Sequence, residues 1–586
     1  MDKRSIFLPA GLQCKLFAVA GLSFLLLGCV ATPQEKAGET GPDGSADVQG
    51  QEDPRLEEAD PEVMFHIMAA ERLIGIGEYQ DALEQYLDAA LLADDPDLAR
   101  QVSRFAGQVG DWHSALVATE RWLELEPGQS DATRLRLLAW LNTGDLDQAV
   151  EGLAELLASH DREQEGWRRV AMLLSAAESD EVAMEAMSQL VESSGYDASN
   201  PDILHVQSVL LWQLGDADQA LTLALEAKEH SGDRKHRVWA AQLAAEMEAL
   251  DLALEIYRLA RVDEPDHVPL ALAEAEVLRQ LERKADAIDL LREIPANSEV
   301  LYTLGIYLVD SEREEEAGQV LQDLAELAVE DNRNHHAFLV AQLAELLERD
   351  DMATSWYEQV DSGPNENRAL LRRAIVKGRG GNLVEARNLL RSVRLGDDQT
   401  LNEQAWLAEA ELLREAGMAD EAVKLLTQPL RERPNNIRLL YARGLNSVHA
   451  ENLELAEQDF RRIIQIDGDN AMALNALGYT LTDRTDRHQE AYRLIRRALE
   501  LNPDDPPTLD SMGWVYFRLG QPEKALSYLE QALEAEDNPE IAAHVIEVLW
   551  ALERFDEAME LKDRAIVEWP DDDYLTETLE RLELNE

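Results

Sequence analysis

The fold is decided by Ser511-Met512-Gly513-Trp514-Val515-Tyr516-Phe517-Arg518-Leu519-Gly520-Gln521-Pro522-Glu523-Lys524-Ala525-Leu526-Ser527-Tyr528-Leu529-Glu530-Gln531-Ala532. Two helical stretches flank Gly520, and Gly513, Ala525 and Ala532 place small side chains where the two would meet. Gly or Ala at a crossing lets helix axes approach, while aromatic and Leu residues fill the grooves beside it. Moving outward from Ala525, the same small residue before a larger apolar one recurs at Ala82, Ala115, Ala149, Ala183, Ala220, Ala253, Ala287, Ala317, Ala353, Ala386, Ala422, Ala456, Ala491 and Ala558. The spacings run from 30 to 37 residues and average 34.0. Chance placement of Ala does not hold one period over fourteen steps, so the chain is an array of repeated helix pairs.

The quoted unit and its period resemble the tetratricopeptide-repeat (TPR) family. That resemblance implies an all-α fold, a TPR α-solenoid in which antiparallel helix pairs wind into a right-handed superhelix. Gly77, Gly110, Gly144, Gly215 and Gly417 stand where Gly520 does, at the turn inside each pair; Gly305, Gly444 and Gly478 stand with Gly513 at the crossing. Pro96, Pro127, Pro265, Pro434, Pro503 and Pro570 follow the second helices, which a proline stops by removing an amide donor. The pattern weakens at Asp180 to Pro201 and Ser298 to Gln319, where bends or loops are expected. Residues 61–570 thus read as about fifteen repeats, and 571–586, with Tyr574, Leu575, Leu579, Leu582 and Leu584 at helical spacing, as a capping helix.

Composition agrees: Ala, Leu and Glu dominate, and the 586 residues need no set of separate globular cores, because each repeat packs on its neighbours alone.

The N-terminus has a different character. Lys3, Arg4 and Lys15 precede the apolar run Leu16 to Leu27, too short to span a bilayer, so residues 1–28 read as a signal peptide. The run ends in Leu26-Leu27-Gly28-Cys29, which resembles the bacterial lipobox and implies lipid attachment at Cys29. Val30 follows, where an inner-membrane retention signal would carry Asp, so the expected location is the outer membrane, facing the periplasm. Residues 29–60 are rich in Gly, Pro, Asp and Glu and read as a disordered acidic tether with a reach of roughly 30 Å. Cys14 leaves with the signal and Cys29 is alkylated, so no thiol chemistry is expected.

The formal charge is −62. A surface that acidic repels nucleic acid and anionic headgroups, and protein partners are expected to be neutral or basic; salt adaptation accounts for the same charge without a partner. No cofactor, metal or small-molecule substrate is expected, nor any catalytic residue. HExxH, GxSxG and Walker A patterns are absent from the sequence. Gly378-Arg379-Gly380-Gly381-Asn382 lacks the phosphate-loop Lys and suits a repeat turn. His335 and His336, as helix neighbours, point about 100° apart. Asp467-Gly468-Asp469-Asn470 and Asp571-Asp572-Asp573 suit acidic helix starts.

The candidate surface is the face lined by first helices. In the TPR register its exposed positions are Tyr441, Leu445 and His449, then Asn475, Tyr479 and Asp483, then Asp510, Trp514 and Arg518. Aromatics among hydrogen-bonding groups suit peptide capture, although Tyr479 and Trp514 are equally placed to pack between repeats. The stretches Leu474 to Arg487, Leu501 to Pro506 and Leu509 to Trp514, with the lipobox, resemble outer-membrane TPR lipoproteins that act as adaptors for periplasmic carboxy-terminal processing proteases. That resemblance implies a non-catalytic adaptor that recruits and activates a serine protease and presents cell-wall hydrolases to it. A structural scaffold for an envelope assembly, such as exopolysaccharide export or cell-wall synthesis, is the alternative. An enzyme with its site near Asp180 to Pro201 or at His335 is the third reading.

Overall fold

The computed structural model describes residues 60–584, apart from 160–162, 196, 198, 263 and 332–333. The signal segment, Leu26, Leu27, Gly28, Cys29 and the tether up to residue 59 lie outside the described residues. Among the described residues there are 31 helices and no strand. They follow one another as fifteen helix hairpins, from Pro61–Gly75 with Tyr79–Leu92 to Pro539–Ala551 with Phe555–Glu568, closed by the single helix Asp573–Arg581. This is an all-α TPR solenoid with a terminal cap, the fold class read from the 34-residue period.

The repeated alanine explains the hairpin. It is the fourth residue of the second helix in every pair, its amide bonds to the carbonyl just before that helix, and all fifteen are completely buried. A larger side chain there would push the two helices apart. The crossing glycines tell the same story at closer range. A Cβ on Gly478 would lie 2.4 Å from Ile495, one on Gly444 2.6 Å from Phe460, and one on Gly513 2.5 Å from Leu529 and 3.0 Å from the Ala525 carbonyl. Gly305 differs from its expected role: its Cβ would strike Leu343 at 2.5 Å, on the first helix of the following repeat rather than within its own pair.

The turn inside each pair needs a left-handed residue. Gly77, Gly110, Gly144, Gly215, Gly417 and Gly520 supply it, with φ between 72° and 86°. At the equivalent turns of other repeats the residue is glutamate: Glu248, Glu282, Glu312, Glu348, Glu451 and Glu553, with φ between 55° and 60°. A side chain with Cβ in that conformation costs about 1–2 kcal/mol, which glycine avoids at the expense of unfolded-state entropy. Replacing Glu248, Glu282, Glu312 and Glu348 together with Gly is therefore expected to stabilise the middle repeats by about 0.5–1 kcal/mol per site, read as a raised urea midpoint at unchanged slope.

The two irregular intervals have simple causes. The 37-residue spacing between Ala183 and Ala220 comes from the six-residue connection between Ser194 and Pro201, while Asp180–Ser194 itself is an ordinary second helix. The 30-residue spacing between Ala287 and Ala317 comes from the short second helix Lys284–Glu293, 10 residues long. Pro127, Pro434 and Pro570 follow helix ends as read from the sequence, and Pro96 opens the next helix instead.

The chain divides into two compact units, residues 1–135 and 136–586. In the described part of the first, Ala82, Leu83, Ala99 and Trp122 are buried, while Met64, Phe65 and Met68 of the opening helix stay in solvent, Phe65 at 62% and Met68 at 63% exposure. In the second, the buried side chains form successive apolar clusters that run from repeat to repeat. The closing helix buries Leu575 and Leu579 against Ala542, Ala543 and Ile546. Each leucine so covered contributes about 1.5–3 kcal/mol, which an open last repeat would forgo. Among the described residues no helix is long and apolar enough to cross a membrane.

Candidate protein-binding surface

First helices of successive repeats lie side by side and are stitched by polar rungs. Trp239 donates its indole N–H to Ser208 at 2.8 Å, and the Tyr307 hydroxyl donates to Glu276 at 2.8 Å. Arg372 holds Glu345, which also accepts from Tyr357 at 2.7 Å. The last four first helices, Ala471–Arg484, Pro506–Arg518, Pro539–Ala551 and the cap Asp573–Arg581, carry a further such set.

Its centre is His544, buried to 1% exposure. Nδ1 lies 2.8 Å from Asp510 Oδ1 and Nε2 lies 2.8 Å from the Tyr574 hydroxyl. Trp514 stacks on the imidazole, centroids 4.1 Å apart at 17°. Burial alone would push this imidazole down, but the Asp510, Glu540 and Glu547 carboxylates outweigh it and hold it above its ordinary value. Tyr479 donates to Glu540. Burial pushes the Glu540 carboxyl up, with Asp510 and Asp483 adding to the rise against His544 and Tyr479, and burial beside Glu540 raises the Tyr479 phenol well above its usual range. The result is a buried imidazole, held above its ordinary value, amid a larger number of carboxylates and phenols on the same first helices.

The expected surface residues fall into three groups. Leu445, Arg518 and His449 are exposed, with Arg518 6.0 Å above the Trp514 ring; burial and Arg414 hold the His449 imidazole low. Tyr441, Asn475, Tyr479 and Asp483 are half-buried: Tyr441 packs on Phe460 at 5.9 Å, and Asp483 pairs with Arg484 at 2.8 Å. Asp510 and Trp514 are not exposed; they are at 6% and 3%, because His544 of the next first helix covers both. The Trp514 indole N–H and Asn475 Oδ1 have no hydrogen-bond partner among the described residues.

His544, Glu540, Glu547 and Tyr574 were not read from the sequence as part of this surface. Asp510 and His544 are 34 residues apart, one period, so that pairing was available as a signal. The Tyr479 to Glu540 contact, 61 residues apart, matches no whole number of periods.

Chemistry elsewhere stays plain. His336 is buried within Asn334–Leu346, and His335 beside it is exposed. Gly381 makes a left-handed turn between Glu366–Arg379 and Leu383–Val393. Asn470 and Asp572 cap helix starts by accepting from Ala473 and Leu575 amides. No group of three or more His, Cys, Asp or Glu able to hold a metal occurs among the described residues.

Fold and surface together define the class: an all-α solenoid of tetratricopeptide-type repeats, which suggest a protein-protein interaction scaffold. Tetratricopeptide-repeat sequence profiles match residues 407–471, 469–536 and 511–573. The chain is similar to the TPR repeat-containing protein PA4667 of Pseudomonas aeruginosa, 29% identical over 91% of this chain and 90% of that one. Among solved structures, a TPR protein of Thermus thermophilus is 26% identical over 31% of this chain and 100% of its own, with a TM-score of 0.29. A tetratricopeptide repeat protein of Parabacteroides merdae is 19% identical over 42% of this chain and 97% of its own, TM-score 0.36.

Proposed function

We propose that this chain is a lipid-anchored adaptor of the bacterial periplasm, held at the outer membrane through Cys29, that recruits and activates a carboxy-terminal processing protease toward peptidoglycan hydrolases. The reading is carried by one coincidence: Leu474 to Arg487 and Leu509 to Trp514, which give the sequence its resemblance to such adaptors, are the segments whose first helices build the His544-centred surface. The mechanism is tethering. A scaffold that binds protease and hydrolase together makes their encounter intramolecular and raises their effective concentration.

The purified full chain is expected to leave a peptidoglycan hydrolase intact by itself and to accelerate its cleavage when the processing protease is added. Asp483→Lys combined with Leu445→Asp is expected to reduce that acceleration about tenfold or more, since a few contacts at an interface centre carry most of its energy. An unchanged cleavage rate with wild-type chain, together with no co-purification of the protease, ends the proposal. A pulldown from detergent-solubilised envelopes rich in synthase or export subunits and lacking a processing protease supports the envelope-assembly scaffold instead.

A further inference from the structure

The excess of carboxylates is not spread along the array. The four repeats from Glu366 to Leu501 contain 21 Lys and Arg against 21 Asp and Glu, so the remainder of the chain carries the whole −62. Salt adaptation acting alone gives no reason for four consecutive neutral repeats.

Within them the cations share one face. Counting from the buried alanine of each second helix, positions two, five, six and nine residues on form a helical stripe turned away from the crossing. In the four second helices between Leu383 and Leu501 these positions hold eight Lys or Arg and one carboxylate, Glu500. Arg391, Lys424, Arg431 and Arg493 are exposed and have no ion pair among the described residues, and Arg462 bonds only the neutral Asn435 and Gln465. Lys424 and Arg431 line a shallow cleft of about 590 Å³ with Val423, Thr427, Gln428 and Glu432. The same positions in the four second helices between Leu146 and Arg261 hold seven glutamates and one cation, Arg258. Of these, Glu151, Glu155, Glu185, Glu192 and Glu255 are exposed and have no ion pair among the described residues, Glu185 accepting only from the neutral Gln189 at 2.7 Å.

We infer that the basic stripe is a docking surface for a second copy of this chain, which it meets at the acidic stripe of the earlier repeats. Two observations select that occupant. The charges are opposite, and both stripes are built on the same ladder of about 34 residues per step, so rungs of one copy match rungs of the other in spacing. The repulsion between two acidic chains is screened beyond about 8 Å at physiological salt, which leaves the facing stripes in control of the contact. Where both stripes are engaged reciprocally, basic to acidic and acidic to basic, the contact is isologous and closes into a twofold pair.

Sedimentation velocity on the detergent-solubilised full chain tests this. Wild-type chain is expected to associate with rising concentration at low salt and to lose about tenfold or more in association constant as salt is raised. Arg391→Glu, Lys424→Glu, Arg462→Glu and Arg493→Glu together are expected to abolish association, as are Glu151→Lys, Glu185→Lys, Glu226→Lys and Glu255→Lys together. Mixing the two reversed chains restores it, and unchanged circular dichroism shows that both are folded. Association that survives either reversal overturns the inference. So does a chain that stays monomeric in low salt while its basic stripe binds anionic phospholipid vesicles, which would make a lipid surface the occupant.

Discussion

Replacing His544 with Ala is expected to destabilise the last repeats by about 3–5 kcal/mol, because it strands Asp510, buried to 6% exposure, without its partner. The Tyr574 hydroxyl loses its bond to Nε2 and Trp514 loses the ring it stacks on, so three neighbours are affected at once. Removing Asp510 as well takes away the stranded charge, and His544→Ala with Asp510→Ala is expected to cost less than the sum of the single changes. Urea unfolding followed by fluorescence of the Trp514 region reads the effect. The array unfolds by regions, so the C-terminal transition is the one that moves. The pH dependence has a defined sign. The folded-state value of His544 is raised above its ordinary 6.5, so its stabilising contribution is fully present below 6.5 and is lost as pH rises through the raised value. The gap between wild type and the His544→Ala chain should therefore narrow on the alkaline side. A gap that widens there would contradict the charge arrangement described above.

Glu409→Ala is expected to cost a similar amount, about 3–5 kcal/mol, in a different place, where the group left stranded is a cation. Glu409 is at 1% exposure and faces two guanidinium groups, Arg387 Nε at 2.8 Å and Arg394 Nη1 at 2.6 Å. Arg394 is itself nearly enclosed, its guanidinium 3.9 Å above the Trp406 ring, and burial pulls its affinity for the proton down against the opposing pull of Glu409. Without the carboxylate that cation keeps only an aromatic face. Glu409→Gln preserves shape and one acceptor, and is expected to cost about half as much. The near-ultraviolet circular dichroism of Trp406, together with the urea midpoint, separates the two substitutions. Equal stability of wild type and Glu409→Ala would mean that the pair is solvated in solution.

The fold was legible because a repeat states itself locally. Ala525 with Gly513 and Gly520 describes one hairpin, and fourteen further alanines at the same interval repeat the statement. What the reading of a single hairpin left out was the neighbour one period on. Trp514 and Asp510 occupy positions that their own hairpin leaves open, and it is His544, one repeat on, that covers them. Register within a repeat gives the direction of a side chain but not what the next repeat places above it. The left-handed glutamates were invisible for a related reason: nothing in Glu248 or Glu553 as letters marks a residue standing where Gly77 does, since propensity argues against it. Gly305 shows the same limit from the other side, being read as an intrahairpin glycine when Leu343 of the following repeat is what requires it.

The closing helix does more than cover leucines. Through Tyr574 it is tied by a polar bond to the fully covered His544 inside the preceding pair, whereas the opening helix of the first unit leaves Met64, Phe65 and Met68 in water and is tied to its own partner helix by the exposed Tyr86–Glu71 bond and by His66 with Gln85. An array whose units hold only their neighbours opens from an end, so it has a weak terminus and a strong one. Fraying therefore has a direction: it starts at the head of the array, and the tail acts as the latch that is last to let go.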